Sequence, residues 1–262
     1  MIYLDNAATT KPCDEAKAAV MKGLEVFGNP SSLHRAGLDA ELLVSDAREI
    51  IANALGVTPD EVYFTSGATE SNNTAIFGAY KAHGKRKKRV VISSVEHPAV
   101  KNPAQELEDM GCEVIKISPD ENGEINARDI FAAVNEDTFL VSCMLVNNEN
   151  GYILPVEKAF SMIKKKYPQV LTHCDCVQGF MKIPVKAKKL NADMISLSGH
   201  KIYAPKGIGA LYVKKGIHIP PFMLGGGQEK GFRSGTESVP LICGFGAAVK
   251  KLAPNVSANF EK

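Results

Sequence analysis

The chain has 262 residues, with 31 lysines and arginines against 29 aspartates and glutamates and 45% hydrophobic residues. This is the composition of a folded chain with a sizeable core, and a net charge of +2 gives no footing to a nucleic-acid or polyphosphate partner. No apolar run reaches ~18 residues, the N-terminus lacks a secretory leader's basic start and apolar stretch, and the six cysteines form no CxxC pair. A reducing, cytoplasmic setting with free thiols and no membrane span is therefore expected.

Taken in chain order, residues 1–30 read as a short strand-like start, one helix and a Gly28-Asn29-Pro30 turn. The stretch 36–55 predicts a helix, with Leu38, Leu42, Ile50, Ile51 and Leu55 at helical spacing and Gly56 as its stop. Strands are predicted at 61–65, 90–94, 113–117, 139–146, 170–175, 193–198 and 208–213, where β-branched and apolar residues concentrate. Helical patterns at 69–83, 99–110, 127–135 and 156–167 lie between most of them. Strands alternating with helices imply an α/β, three-layer architecture with a mainly parallel, seven-stranded sheet. The last two strands are joined by too few residues for a helical crossover, so they are expected to be antiparallel. A further helix begins near residue 241.

Ligands of open α/β sheets bind beyond the carboxyl ends of the strands. There the sequence places Ser66-Gly67-Ala68-Thr69, Glu96-His97, Asn147-Asn148, Asp175 with Gln178, and Ser198-Gly199-His200-Lys201. The first is a glycine turn opening a helix, whose free N–H groups suit a phosphate. A lysine, a carboxylate and a phosphate cradle together suit pyridoxal phosphate: the amine condenses with the aldehyde, the carboxylate keeps the ring nitrogen protonated, and the phosphate anchors the group. Each piece alone has a plainer explanation. The glycine turn is also an ordinary helix start, His97 before Pro98 a turn residue, Asp175 a cap, and Lys201 one lysine among many. The run Lys85 to Arg89 reads as an exposed turn, and Gly225–Gly227 with Arg233-Ser234-Gly235-Thr236 as a flexible loop or a second anion site. His173-Cys174-Asp175-Cys176 lacks a second ligand pair at finger-like spacing, so no metal is expected. No GxGxxG follows a strand, which argues against a dinucleotide.

In order, Tyr3-Leu4-Asp5-Asn6-Ala7-Ala8-Thr9-Thr10, Gly28-Asn29-Pro30-Ser31-Ser32, Phe64 to Asn73, Glu96-His97, Asn147-Asn148-Glu149, Asp175 with Gln178, Ser198 to Tyr203, Pro205 to Tyr212 and Arg233 to Thr236 resemble the cysteine desulfurases. These are class V aminotransferase-family enzymes of PLP fold type I, and the wording is similar to the group that feeds iron–sulfur assembly and tRNA thiolation. The resemblance implies that Lys201 is the Schiff-base lysine and proton carrier. It implies that Asp175 faces the pyridinium, Gln178 the ring hydroxyl oxygen, and His97 the ring and the proton transfer. Ala68, Thr69, Ser198 and His200 then hold the phosphate, Thr236 holds the phosphate of the other subunit of a homodimer, and Asn148 touches cofactor and substrate.

The implied substrate is L-cysteine, with a sulfur-acceptor or scaffold protein as partner. The implied domains are an N-terminal arm (1–15) belonging to a small domain, a PLP-binding large domain (16–250) and the start of a C-terminal domain (251–262). Family members are longer and carry, further on, the loop cysteine that takes the sulfur and the arginine that grips the substrate carboxylate. None of Cys13, Cys112, Cys143, Cys174, Cys176 or Cys243 matches that cysteine, so this chain alone is expected to be inactive or incomplete. The residues leave two alternatives open: a non-catalytic cofactor-domain protein or split subunit, and a related class V lyase or transaminase.

Overall fold

The computed structural model describes residues 2–261. Two helices come first, α1 (Asp14–Glu25) and α2 (Arg35–Leu55). Strands and helices then alternate through β1 (Val62–Thr65), α3 (Ala68–His83), β2 (Arg89–Ser93), α4 (Pro98–Asp109), β3 (Glu113–Ile117) and α5 (Ala127–Ala132). They continue through β4 (Thr138–Ser142), α6 (Val156–Lys166), β5 (Leu171–Asp175), α7 (Ala187–Leu190), β6 (Met194–Ser198) and β7 (Gly209–Val213). The helices α8 (Val239–Leu252) and α9 (Val256–Phe260) follow.

All seven strands form one sheet in the order β1-β7-β6-β5-β4-β2-β3. The pairs from β3 across to β6 are parallel, and β7 runs antiparallel to both β6 and β1. The short link between β6 and β7 thus makes the antiparallel pair that its length predicts, with Ser198 opposite Gly209.

Side chains alternate across each strand, so the sheet feeds two cores. On one face Val91, Val141, Ile195 and Ala210 pack with α2, α5, α6 and α8; on the other Val90, Ile92, Leu140 and Leu211 pack with α3 and α4. This is the three-layer arrangement that the alternation implies.

Three details differ from the sequence pattern. Residues 2–5 form no strand. The strand expected at 139–146 is regular only to Ser142; Cys143 and Leu145 N–H still donate to the His173 and Asp175 carbonyls of β5 at 3.0 Å each, and Val146 then bridges Ile153. Leu38 and Leu42 of α2 are 49% and 58% exposed, while the buried stripe runs through Ala40, Val44, Ala47 and Ile51. Small residues carry that stripe because α8 comes very close. A Cβ on Gly246 would lie 2.9 Å from the Cβ of Ala47.

A charged clamp fixes the loop after β7 to this scaffold. Arg48 of α2 donates from both Nη atoms to Glu229, each at 2.7 Å, and Glu229 Oε2, which takes one of these bonds, also accepts the Phe64 N–H of β1 at 2.9 Å. Glu229 and Lys230 hold positive φ of 48° and 59°, a conformation that side chains disfavour and that the clamp must sustain. Removing one partner leaves a largely buried guanidinium and a strand N–H unmatched. Glu229→Ala is therefore expected to lower unfolding free energy in urea by about 3 kcal/mol. An unchanged denaturation midpoint would show that the clamp contributes nothing.

Candidate active site

At the carboxyl ends of the parallel strands lies a cavity of about 860 Å³, in the size range of small-ligand sites. Its walls come from the segments that follow β1, β2, β4, β5 and β6. All the residues predicted for this site except Thr236 line it. Ala68 and Thr69 come from the first turn of α3, His97 from the loop after β2, Asn148 from the loop after β4, Asp175 and Gln178 from the end of β5, and Ser198, His200 and Lys201 from the end of β6. Thr236 lies exposed, outside the cavity lining.

The α3 end of the cavity is built by close backbone contact. A Cβ on Gly209 would fall 2.5 Å from the Leu197 carbonyl oxygen and 2.8 Å from the Cα of Gly67. Only a glycine strand lets the Ser66–Gly67 turn sit directly on β7. Gly67 caps α3 without a side chain, so the N–H groups of Ala68 and Thr69 have neither a capping oxygen nor a carbonyl one turn earlier. They face the cavity at the positive end of a sixteen-residue helix.

Asp175 ends the central strand β5 with its carboxylate buried. It accepts the Asn72 amide at 2.8 Å and the Val177 N–H at 3.0 Å, and no ion pair reaches it among the described residues. Burial pushes its pKa up, partly opposed by those two donors and by the charges of His97 and Lys201.

Lys201 stands in a 3₁₀ turn that follows β6 directly, and its Nζ donates to the Ala7 and Ala8 carbonyls at 2.6 and 2.7 Å. Burial lowers its pKa, opposed by Asp5 and Asp175, and a lowered value makes the neutral, nucleophilic amine more accessible. His97 accepts the Ala99 N–H on Nδ1 at 3.1 Å, so it caps α4 and lines the cavity at once. That bond leaves the proton of the neutral ring on Nε2.

The N-terminal arm closes one side. Thr10 donates to the His200 carbonyl from its N–H and its hydroxyl at 2.9 and 2.8 Å, and Cys13 N–H donates to the Tyr203 carbonyl at 2.9 Å. Tyr203 sits at φ 62°, a strained position locked by this stitching.

A buried carboxylate without a cation, a half-buried amine and an open helix N-terminus around one cavity form the donor set that a phosphorylated, ring-protonated pyridine aldehyde requires. The residues present fit pyridoxal phosphate.

The aminotransferase class V family model matches residues 2–261. The chain belongs to the class V aminotransferase family. It is 45% identical over 254 residues to a NifS/IcsS protein homolog of Lactobacillus delbrueckii subsp. bulgaricus, covering 96% of this chain and 66% of the relative. It is 44% identical over 262 residues to the cysteine desulfurase IscS of Dictyoglomus turgidum, covering 100% of this chain and 66% of the relative. The chain thus spans just under two thirds of the curated relatives it matches. Among solved structures, a NifS-like protein superposes with a TM-score of 0.94 at 41% identity, over 97% of this chain and 70% of that one. A structure described as SspA in complex with cysteine gives 0.92 at 39% identity, over 96% and 73%. The α/β fold of this class V chain is that of the large domain of NifS-like proteins.

Other regions singled out in the sequence stand apart from the cavity. His173 is buried between the Ser142 and Ser196 hydroxyls at 2.8 and 2.9 Å, and burial pushes its pKa down to about 3. Arg233 lies outside the lining but is held at 2.7 and 3.1 Å by Glu70, which is part of it. Arg89 begins β2 and pairs with Glu113, so the basic run from Lys85 ends inside the sheet.

Two residues that the motifs contain were given no role by sequence reasoning. The first is Asn72, whose signal was an amide placed where α3 must bury its inner face. The second is Glu96, buried behind His97. Its Oε1 accepts the Ser93 hydroxyl at 2.5 Å and the Met144 N–H at 2.7 Å, and its Oε2 has no partner among the described residues. Burial raises its pKa from 4.5 to about 8.

A folded pKa above the unfolded one means that the native state binds the proton more tightly. The resulting stabilisation is full below pH 4.5 and is lost as pH rises through about 8. Glu96→Gln stays neutral throughout. Wild-type stability is expected to fall relative to Glu96→Gln between these pH values, by on the order of 5 kcal/mol, in urea titrations. Parallel curves would mean that Glu96 is not held protonated.

Proposed function

We propose that this chain is the cofactor-holding part of a pyridoxal-phosphate-dependent cysteine desulfurase. The observation that carries the reading is the opening of Asp175 and Lys201 into one cavity, with the N-terminus of α3 on a third side. Support comes from relatives at 42–45% identity, several of which are named cysteine desulfurase.

When bound, the cofactor supplies an electron sink for charge developing at the substrate α-carbon. The chain's own residues do the rest. Asp175 would hold the ring nitrogen protonated, and that cation would in turn relieve the cost of its buried charge. Ala68, Thr69, Ser198 and His200 would hold the phosphate, Gln178 would donate to the ring oxygen, and Asn148 would touch cofactor and substrate. His97, with its Nε2 proton at the cavity, would face the ring and assist proton transfer. Lys201 would anchor the aldehyde and then carry the α-proton, once released from the Ala7 and Ala8 carbonyls. In this reading residues 16–250 are the large domain, 1–15 an arm of the small domain, and 251–262 the start of the C-terminal domain. Thr236, outside its own cavity, would serve the partner subunit of a homodimer.

The overall reaction is L-cysteine plus a protein thiol giving L-alanine plus a protein persulfide: the C–S bond breaks, an S–S bond forms, and the α-proton and thiol proton are redistributed to alanine and the persulfide. The persulfide sulfur would pass to an acceptor or scaffold protein for iron–sulfur assembly or tRNA thiolation. Among the described residues no cysteine lines the cavity. That observation favours the second reading, a split subunit or non-catalytic cofactor-domain protein.

Two measurements test the proposal. Pyridoxal phosphate added to the protein should give a visible absorption band that borohydride bleaches and that Lys201→Ala abolishes; a band unchanged in the variant places the anchor elsewhere. Sulfide release from L-cysteine by this chain alone should be at least ~100-fold below that of a full-length relative, the scale on which losing a catalytic nucleophile acts. Equal rates would contradict the absence of a thiol at the cavity.

A further inference from the structure

Gln178 reaches the cavity with a side chain whose two ends have almost the same shape and opposite hydrogen-bonding character. Which end faces the ligand decides whether the cavity offers a donor or an acceptor there. The neighbours of the amide settle that choice. Its Oε1 accepts from Lys182 Nζ at 2.6 Å, and its Nε2 donates to the Ala7 carbonyl at 2.9 Å. An ammonium can only donate and a backbone carbonyl can only accept, so both neighbours select the same orientation. The flipped amide would set two N–H groups against an ammonium and one oxygen against another.

We propose that Lys182 is a positioning residue that fixes the Gln178 amide with only N–H donors toward the cavity. Lys182 does not itself line the cavity and acts through Gln178. Its reach depends on the backbone: Met181 takes a positive φ of 60°, and the Lys182 N–H closes onto the Gly179 carbonyl at 3.0 Å. The chain thereby turns back far enough for the side chain to lie over Gln178, four residues earlier. Burial and the charge of Lys201 lower the Lys182 pKa to about 8, which leaves it mainly an ammonium at neutral pH.

One Nε2 hydrogen is spent on Ala7, which also accepts from Lys201 at 2.6 Å. The other is free for an acceptor in the cavity. The chemical class that this selects is an oxygen carrying negative charge, such as a phenolate, since N–H donation to an anion is stronger than to a neutral acceptor. The identity of that acceptor rests on the proposed cofactor; the amide orientation is a property of the chain alone.

The test uses the full chain with Lys182→Met, Lys182→Arg and Lys182→Glu, each checked for folding by thermal melt. Selective 15N-glutamine labelling gives side-chain amide signals from four glutamines, and those of Gln178 are identified by their loss in Gln178→Glu. Without cofactor, the Gln178 signals should move in Lys182→Met and Lys182→Glu and stay near wild type in Lys182→Arg, which keeps a donor-only cation. With pyridoxal phosphate, Lys182→Met should bind about tenfold more weakly and shift the pH midpoint of the visible band, and Lys182→Arg should restore both. If Lys182→Met fails to fold, the Glu and Arg variants carry the comparison. Unmoved Gln178 signals in the folded Met or Glu variants, or a failure of Arg to restore them, would overturn the proposal. Absence of any Lys201-dependent band in wild type, with the amide signals responding as stated, would remove the cofactor reading and leave the positioning role standing.

Discussion

Burying a carboxylate is costly unless something matches its charge, and the site is arranged around that cost at Asp175. Two neutral donors, Asn72 and the Val177 N–H, hold it in place without a direct cation. Hydrogen bonds of this kind orient a carboxylate but do not cancel its charge, and burial accordingly pushes its pKa up. A cationic ring placed against it would gain what the protein leaves unmatched. The amine of Lys201, lowered in pKa by its own burial, opens into the same cavity. The lowered amine suits a condensation, whereas the raised carboxylate would be returned to its ionised form only by a cation placed against it.

The N-terminal arm walls one side of this open pocket. Its residues are far away in sequence, yet Ala7 accepts from both Gln178 and Lys201, and Thr10 and Cys13 stitch the backbone at His200 and Tyr203. The strained φ of Tyr203 persists because these bonds determine it from both sides. An arm without secondary structure can do this because its backbone carbonyls, unused by any ladder, are available to the amines of the site.

The sheet, its mainly parallel order and the antiparallel β6–β7 pair were legible because apolar β-branched runs and short connections constrain strands strongly. The motif residues at strand ends were legible for the same reason: once the strands are placed, their carboxyl ends are placed. Other features depend on contacts that sequence spacing does not encode. Leu38 and Leu42 repeat at helical spacing but face outward, because α2 buries another stripe, on which α8 closes at Ala47. The chain after β4 keeps hydrogen bonds to β5 through Cys143 and Leu145 before Val146 turns to pair with Ile153, a turn that strand propensity alone does not show. Asn72 and Lys182 bond the motif residues Asp175 and Gln178, and Glu96 bonds Ser93 and Met144; these pairings arise only in the folded chain, so residue type alone could not assign them.

The thiols follow a different logic from the amine. Cys143 and Cys174 are fully enclosed, and burial raises both well above the usual thiol range, so neither supplies a thiolate. Cys174 and Cys176 lie 3.4 Å apart, sulfur to sulfur, in the apolar core beneath the strand, and strand alternation turns Cys174 away from the face that carries Asp175. Their position beside Asp175 in sequence therefore brings no sulfur nucleophile to the cavity. Among the described residues, the cavity walls therefore hold an amine, a histidine and a carboxylate but no thiol.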